Sequence, residues 1–290
     1  MADQDNFEAI QIGTPEPNKL AEPSQDTFIE QLSGGKRRKY TRFVIAALSS
    51  IPWIGGVIAA AASLSAEKDQ EKINDIQRLW LEEHKEKAAE LGTTLNDIFI
   101  RLDNFGDEVQ ERIESPEYLA LVKRSFRSWD EADTQEKKQM LKKLITNAGA
   151  ITLCPDDLVR LFIHWIEQYH EAHFMVIKEI YRHPMITRAQ IWDTIHGQRP
   201  REDSAEADLF RYLIRDLSTG GVIRQSREVD FQGRFLKKDT RGQSHESPSR
   251  VMESAFENTK SYVLTELGKQ FVHYVMEDVV PQIDGDKRTV

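Results

Sequence analysis

The sequence predicts a mainly α-helical protein with a small β element near its C-terminal end. Three observations carry that expectation. Residues 43–66, FVIAALSSIPWIGGVIAAAASLSA, hold no charged side chain, although 30% of the chain is charged. From residue 67 to 170, apolar positions recur at helical spacing, punctuated by capping residues and without strand-like alternation. After residue 171 the order becomes helix, helix, helix, strand, long polar excursion, strand, helix.

Composition bounds the answer. A chain of 290 residues is long enough for two domains, and 39% apolar content is that of a globular protein. The formal charge of −9 argues against general coating of nucleic acid but leaves room for a local basic patch. A single cysteine, Cys154, excludes an internal disulfide framework and fits a reducing cytosol. The apolar run begins some forty residues in and exceeds the length of a signal-peptide core, so it is not read as one.

Residues 1–35 are acidic, dotted with proline and poor in periodic apolar positions, which predicts a flexible tail. Gly34-Gly35-Lys36 lacks the P-loop spacing. A basic collar follows: Lys36, Arg37, Arg38, Lys39 and Arg42. Next comes the apolar stretch, with Phe43, Val44, Ile45, Leu48, Ile51, Trp53, Ile54, Val57, Ile58 and Leu64 as its candidate membrane or oligomerisation residues. Pro52 and Gly55-Gly56 break it into pieces too short to cross ~30 Å of hydrocarbon. A single span would also send everything after residue 66 across the membrane, against the cytosolic look of the rest. An apolar helical hairpin, buried in a bundle or entering one leaflet, resolves the conflict, with Trp53 near its tip.

The next pattern is one long helix, from about 67 to 113. Ile73, Ile76 and Trp80 start its stripe, and Leu91, Leu95, Ile98, Leu102, Phe105 and Val109 continue it as a heptad seam. That seam suits a bundle core or a homo-oligomer, with a kink or break near Gly92 or Gly106. Ser115-Pro116-Glu117 starts another helix, and Asp133-Thr134-Gln135-Glu136 resembles a capping box for the one after. Pro155-Asp156-Asp157 opens a further helix with Leu158, Leu161, Phe162, Trp165, Ile166 and Tyr169 inward. Helix after helix with short connections is a bundle.

Beyond residue 171, Thr187-Arg188-Ala189-Gln190 is a capping-box start, and Ser204–Ser218 is a helix stopped by Gly220-Gly221. Val222–Gln225 and Tyr262–Leu264 read as paired strands, and a last helix runs to about Met276. The phrases LSTGGVIRQ and YVLTELGKQFV resemble helix–strand and strand–helix junctions of bacterial winged helix-turn-helix proteins of the MarR and PadR kind. That resemblance implies a winged-helix domain over 171–281 with a small β-wing, Ser204–Ser218 as recognition helix and Arg224–Arg241 as an unusually long wing.

Four groups of residues are candidate sites. The third helix offers Arg211 and Arg215, offset by Glu206, Asp208 and Asp216, so base reading is disfavoured. Arg224, Arg227, Arg234, Lys237, Lys238 and Arg241 in the wing outnumber its acids and suit phosphate contacts or a protein partner. Glu167, His170 and His173 share a helical face but miss the zinc-protease spacing. Cys154 has no nucleophile signature around it, and no catalytic, metal or cofactor motif is present.

The resulting expectation has five segments: a tail (1–35), collar and apolar hairpin (36–66), helical bundle (67–170), winged-helix domain (171–281) and a second tail (282–290). The layout resembles α-helical pore-forming proteins, an arrangement of elements and not of motifs. Joined to the winged-helix domain as a sensing or docking module that controls it, the layout implies a non-enzymatic bacterial effector in the cytoplasm or at the inner membrane, of the kind used in phage defence. Its collar would meet anionic lipid and its apolar segment would insert or self-associate. The alternatives are a winged-helix regulator binding duplex DNA, oligomerised by the apolar segment, and an adaptor in a larger complex.

Overall fold

The computed structural model describes residues 38–54, 70–106, 108–150, 154–227, 232 and 254–276, without the side chains of 38, 70–83 and 108. Both expected tails, Lys36, Arg37, the Gly55-Gly56 turn, Val57, Ile58, Leu64, Arg234, Lys237, Lys238 and Arg241 lie outside the described residues. So do the side chains of Arg38, Ile73, Ile76 and Trp80. The described chain is mainly helical, with one small antiparallel sheet of three strands.

A 3-10 turn, Arg38–Tyr40, leads into α1 (Thr41–Ser50). Helix α1 ends where it must: Ile51 precedes Pro52 and takes an extended conformation, φ −93° and ψ 114°. Phe43, Val44, Leu48, Ile51 and Ile54 are each 0–3% exposed, whereas Ile45 faces outward at 49%. Phe43 packs against the rings of Phe99, Tyr118 and Phe126, with centroids 5.5 to 6.1 Å away. Burying five such side chains is worth roughly 10 kcal/mol gross, an upper figure.

Polar clasps stand at both ends of this segment. Tyr40 stacks on Phe99 at 4.4 Å and donates its hydroxyl to Asp103 Oδ1 at 2.8 Å. Burial, and then the Asp103 charge, push its phenol up to about 12. Lys39 pairs with the same carboxylate, so one member of the basic collar is already engaged. At the other end Trp53 lies over His84 and donates its indole N–H to Asp130 Oδ1 at 2.7 Å.

Helix α2 (Gln70–Asp103) runs through Gly92 without interruption, and the chain breaks instead at Gly106, whose φ of +75° ends helical progress. Leu91, Leu95, Ile98 and Leu102 of the heptad seam are fully buried in the chain's own core, and Phe105 is half-buried. Next come α3 (Glu108–Glu114), α4 (Pro116–Glu131), α5 (Gln135–Ala150) and α6 (Asp156–Gln168). Ser115 caps α4, accepting from Tyr118 N–H at 3.3 Å, with Pro116 in the first turn. Thr134 does the same for α5 through Lys137 N–H. Helix α1 packs most closely on α4, and α4, α5 and α6 pack on one another. Arg112 ties three of these pieces together, forking onto Asp156 at 2.5 and 3.3 Å and reaching the Ala148 carbonyl at 3.4 Å. Leu158 and Leu161, expected inward, are only half-buried; Phe162, Trp165, Ile166 and Tyr169 fill the core.

The remaining elements are α7 (Glu171–Arg182), β1 (Ile186–Thr187), α8 (Arg188–His196), α9 (Ala205–Thr219), β2 (Ile223–Gln225), β3 (Ser261–Leu264) and α10 (Glu266–Val275). The capping box at Thr187 and Gln190 forms in both directions, and Ser204 caps α9. Gly221, at φ +76°, turns the chain from α9 into β2. Strand order is β1-β3-β2, with Ile186 opposite Tyr262 and Ile223 opposite Leu264. The two-residue β1 is absent from the sequence expectation, being too short to show an alternating pattern. Helix α10 docks on α5 and α6: Phe271 meets Phe162 and Trp165, and Asn147 donates to the Tyr274 carbonyl at 2.9 Å. One contiguous core therefore runs from Tyr40 to Val275.

Candidate anion-binding site

Helix α9 owes its orientation to Ala207, Phe210, Ile214 and Leu217, which face the core at helical spacing. That leaves Arg211 and Arg215 on one flank, together with Ser218 and Thr219 a turn further on. Strand β2 and the residues after it bring Arg224, Gln225 and Arg227 alongside, because Ile223 is the strand's buried member and its neighbours are exposed. The first residue of α8, Arg188, closes the third side. The result is a concavity of about 660 Å³ whose lining, among the described residues, has five arginines and no carboxylate.

Tyr262 is the floor. It is buried at the middle strand, and its hydroxyl accepts from Arg188 Nε at 2.9 Å and from Gln225 Nε2 at 3.4 Å. The Arg188 guanidinium also lies 5.4 Å from the Tyr262 ring centre, so its position is fixed from two directions.

The five arginines are not equivalent. Arg211 is compensated: it holds Glu202 Oε2 at 2.5 Å, Asp208 Oδ1 at 2.7 Å and the Glu202 carbonyl at 3.1 Å. Burial works to raise the Glu202 carboxyl, but Ser254, the Ala255 amide and Arg211 outweigh it and hold the carboxyl below its ordinary range. Arg211 is therefore a wall. Arg215, Arg224 and Arg227 are exposed, and Arg188 is half-buried.

No known protein family, curated protein or solved structure matches the chain. The site is accordingly read from its own chemistry. Planar guanidinium groups converging on a shared hollow suit phosphate oxygens, which they can hold in pairs.

Four of the eight basic residues expected from sequence, Arg211, Arg215, Arg224 and Arg227, meet in this hollow. Arg188 was missed. In the sequence it looks like an ordinary first-turn residue, and what commits it is a tyrosine 74 positions away.

Other expected sites fall elsewhere. Glu167 is taken by Ser128 at 2.5 Å and Arg124 at 3.4 Å. His173 accepts from the His170 amide at Nδ1 and lies with Nε2 3.2 Å from Asp216, so the three do not converge on a metal. Among the described residues no cluster of metal-ligating side chains occurs. Cys154 is buried, which pushes its thiol up to about 11. In the collar, Lys39 engages Asp103, and Arg42 lies 4.0 Å from Glu114. Among the described residues no helix is long and apolar enough to cross a membrane.

On the opposite flank of α9, Met175, Ile195, Leu209 and Leu213 line an apolar groove of about 500 Å³. Leu209 is 55% exposed there. Tyr212, also on α9, is 54% exposed, and its ring stands edge-on to that of His173 with centroids 6.2 Å apart.

Proposed function

We propose that this protein is a non-catalytic, nucleic-acid-docking protein of winged-helix type, which gathers backbone phosphates without reading bases. The single observation carrying this reading is the hollow where Arg188, Arg211, Arg215, Arg224 and Arg227 converge, with no carboxylate among the described lining residues. The winged-helix reading draws support from the order α7-β1-α8-α9-β2-β3-α10 and from β3 lying between β1 and β2. Phosphate contacts fix position but carry no sequence information, and the acidic residues Glu206 and Asp208 on α9 disfavour base reading. Polarisation of a labelled oligonucleotide at low salt tests it. Wild type should bind and lose affinity steeply with salt, and Arg224→Gln with Arg227→Gln should weaken binding about tenfold. No binding at the lowest salt defeats the reading.

A second reading, favoured by the clasped α1, is that of an effector whose apolar segment acts on a membrane or on other copies when uncovered. Magnitudes rank it second. Moving Phe43, Val44, Leu48, Ile51 and Ile54 from water into this core or into hydrocarbon is worth a similar roughly 10 kcal/mol gross, so insertion returns no more than the packing it gives up and loses the two clasps besides. The covered arrangement wins unless a trigger opens the clasps. Flotation with anionic vesicles tests this: release should require weakening of Trp53–Asp130 or Tyr40–Asp103, and absence of flotation in clasp variants rules it out.

A further inference from the structure

We infer that the apolar groove between α7, α8 and α9 is a docking site for an amphipathic helix of a partner protein, one with aliphatic residues along one face and lysine or arginine beside them. The groove is separate from the arginine hollow, and the inference does not depend on the hollow's ligand. Shape and charge carry it independently.

Met175 and Val176 from α7, Ile195 from α8, and Leu209 and Leu213 from α9 line the groove, whose volume is about 500 Å³. Leu213 is buried and belongs to the core-facing arc of its helix, but Leu209 lies past that arc at 55% exposed, and Met175 is 43% exposed. A small ligand sunk between the helices would leave these two side chains half in water. A row of aliphatic side chains on a helix covers both, packing its ridge into a groove whose walls are themselves helical. Methionine in such a wall adapts its shape to the incoming residues.

Charge names the other half of the partner. Two fully charged side chain types, one of each sign, line the groove: Arg199 and Glu206. Arg199 is already held by Asp193, through hydrogen bonds of 2.8 and 2.6 Å. Glu206 is exposed and pairs with no cation among the described residues. Hydrogen bonds from its own amide and from Ser204 hold its carboxyl below the ordinary range, so it stays ionised. The groove thus combines an apolar lining with one uncompensated negative charge. A basic residue beside the partner's apolar face matches that charge, whereas an anionic lipid surface would set phosphate against it.

The test uses the full chain and a fluorescein-labelled helical peptide of about 18 residues, with leucines at i, i+3, i+4 and i+7 flanked by lysines. The comparison peptide carries glutamate in place of each lysine. Fluorescence polarisation should show the lysine peptide binding at least tenfold tighter. Leu209→Glu should weaken it about tenfold or more, although the added negative charge alone would strengthen attraction to lysine. Glu206→Gln should weaken it about threefold. Leu209 is more than half exposed, so its replacement leaves the fold intact, which thermal unfolding checks. Failure of the lysine peptide to bind, equal binding of both peptides, or indifference to Leu209→Glu overturns the inference. A wild-type dimer in sedimentation that Leu209→Glu dissociates also overturns it, because a second copy then fills the groove. The nucleic-acid reading of the arginine hollow stands or falls on its own oligonucleotide test.

Discussion

Trp53 donates its indole N–H to Asp130 Oδ1 at 2.7 Å, across 77 positions of sequence. The contact joins the turn after α1 to the last turn of α4, and it is the outer fastening of the apolar helix α1. Tyr40 and Asp103 make the matching fastening at the other end. Asp130→Ala should cost about 1–2 kcal/mol, the range for removing one partner of a charged hydrogen bond. Trp53→Phe should cost about the same, and the double variant should cost less than the sum of the two. Urea unfolding of the three variants measures it; full additivity would mean the bond contributes nothing.

Gly149 sits in α5 directly over Tyr118, whose buried hydroxyl donates to the Ile145 carbonyl at 2.8 Å. A Cβ at 149 would fall 2.6 Å from that hydroxyl oxygen, well inside van der Waals contact. Alanine normally gains about 1 kcal/mol over glycine inside a helix, so an unhindered Gly149→Ala would stabilise. The expected result is the reverse, a loss of about 1–3 kcal/mol from overpacking. Adding Tyr118→Phe, which removes the obstructing oxygen, should recover part of that loss in a double-mutant cycle.

Gly268 faces backbone instead. A Cβ there would overlap the Val222 carbonyl, which cannot swing aside because it accepts from the Thr265 amide at 3.0 Å. Gly268→Ala should therefore be more damaging than Gly149→Ala, with no single compensating substitution. Thermal unfolding of the two variants side by side checks the order.

His173 couples α7 to α9 and makes stability depend on pH. Burial, the leading cause, lowers its pKa from the ordinary 6.5, only partly opposed by Asp216. Its Nδ1 already accepts the His170 amide, so adding a proton there breaks a bond. With the folded value below the unfolded one, the unfolded chain takes up its proton first as pH falls. Stability from this group is complete above about 6.5 and declines as pH drops below that toward the folded value. Urea midpoints at pH 7.5 and 5.5 should differ less in His173→Gln than in wild type.

Much of this architecture is legible in local sequence because local rules decide it. Ser115-Pro116 and the Thr187–Gln190 box mark helix starts through bonds spanning three residues, and the Leu91–Leu102 seam is periodic enough to survive Gly92. Helix α1 ends at Ser50 because Pro52 restricts the residue before it. What escaped reading is what distant partners decide. Nothing near Trp53 announces Asp130, and Lys39 looks like part of a free basic collar until Asp103 arrives. Leu209 belongs by pattern to an apolar face, yet it lies past that face's edge and is exposed. Arg188 joins the arginine hollow only because β3 carries Tyr262 beneath it. The basic character of Arg211, Arg215, Arg224 and Arg227 was visible in sequence, but not that Arg211 is spent on Glu202 and Asp208.

In the proposed docking role four arginines of the hollow, Arg188, Arg215, Arg224 and Arg227, hold phosphate, and the salt dependence of oligonucleotide binding measures it. For a single strand, four phosphate contacts correspond to a slope of log affinity against log salt of roughly −3, which should fall to about half in the Arg224→Gln, Arg227→Gln variant. A slope near zero, or one that the double variant leaves unchanged, would contradict the account.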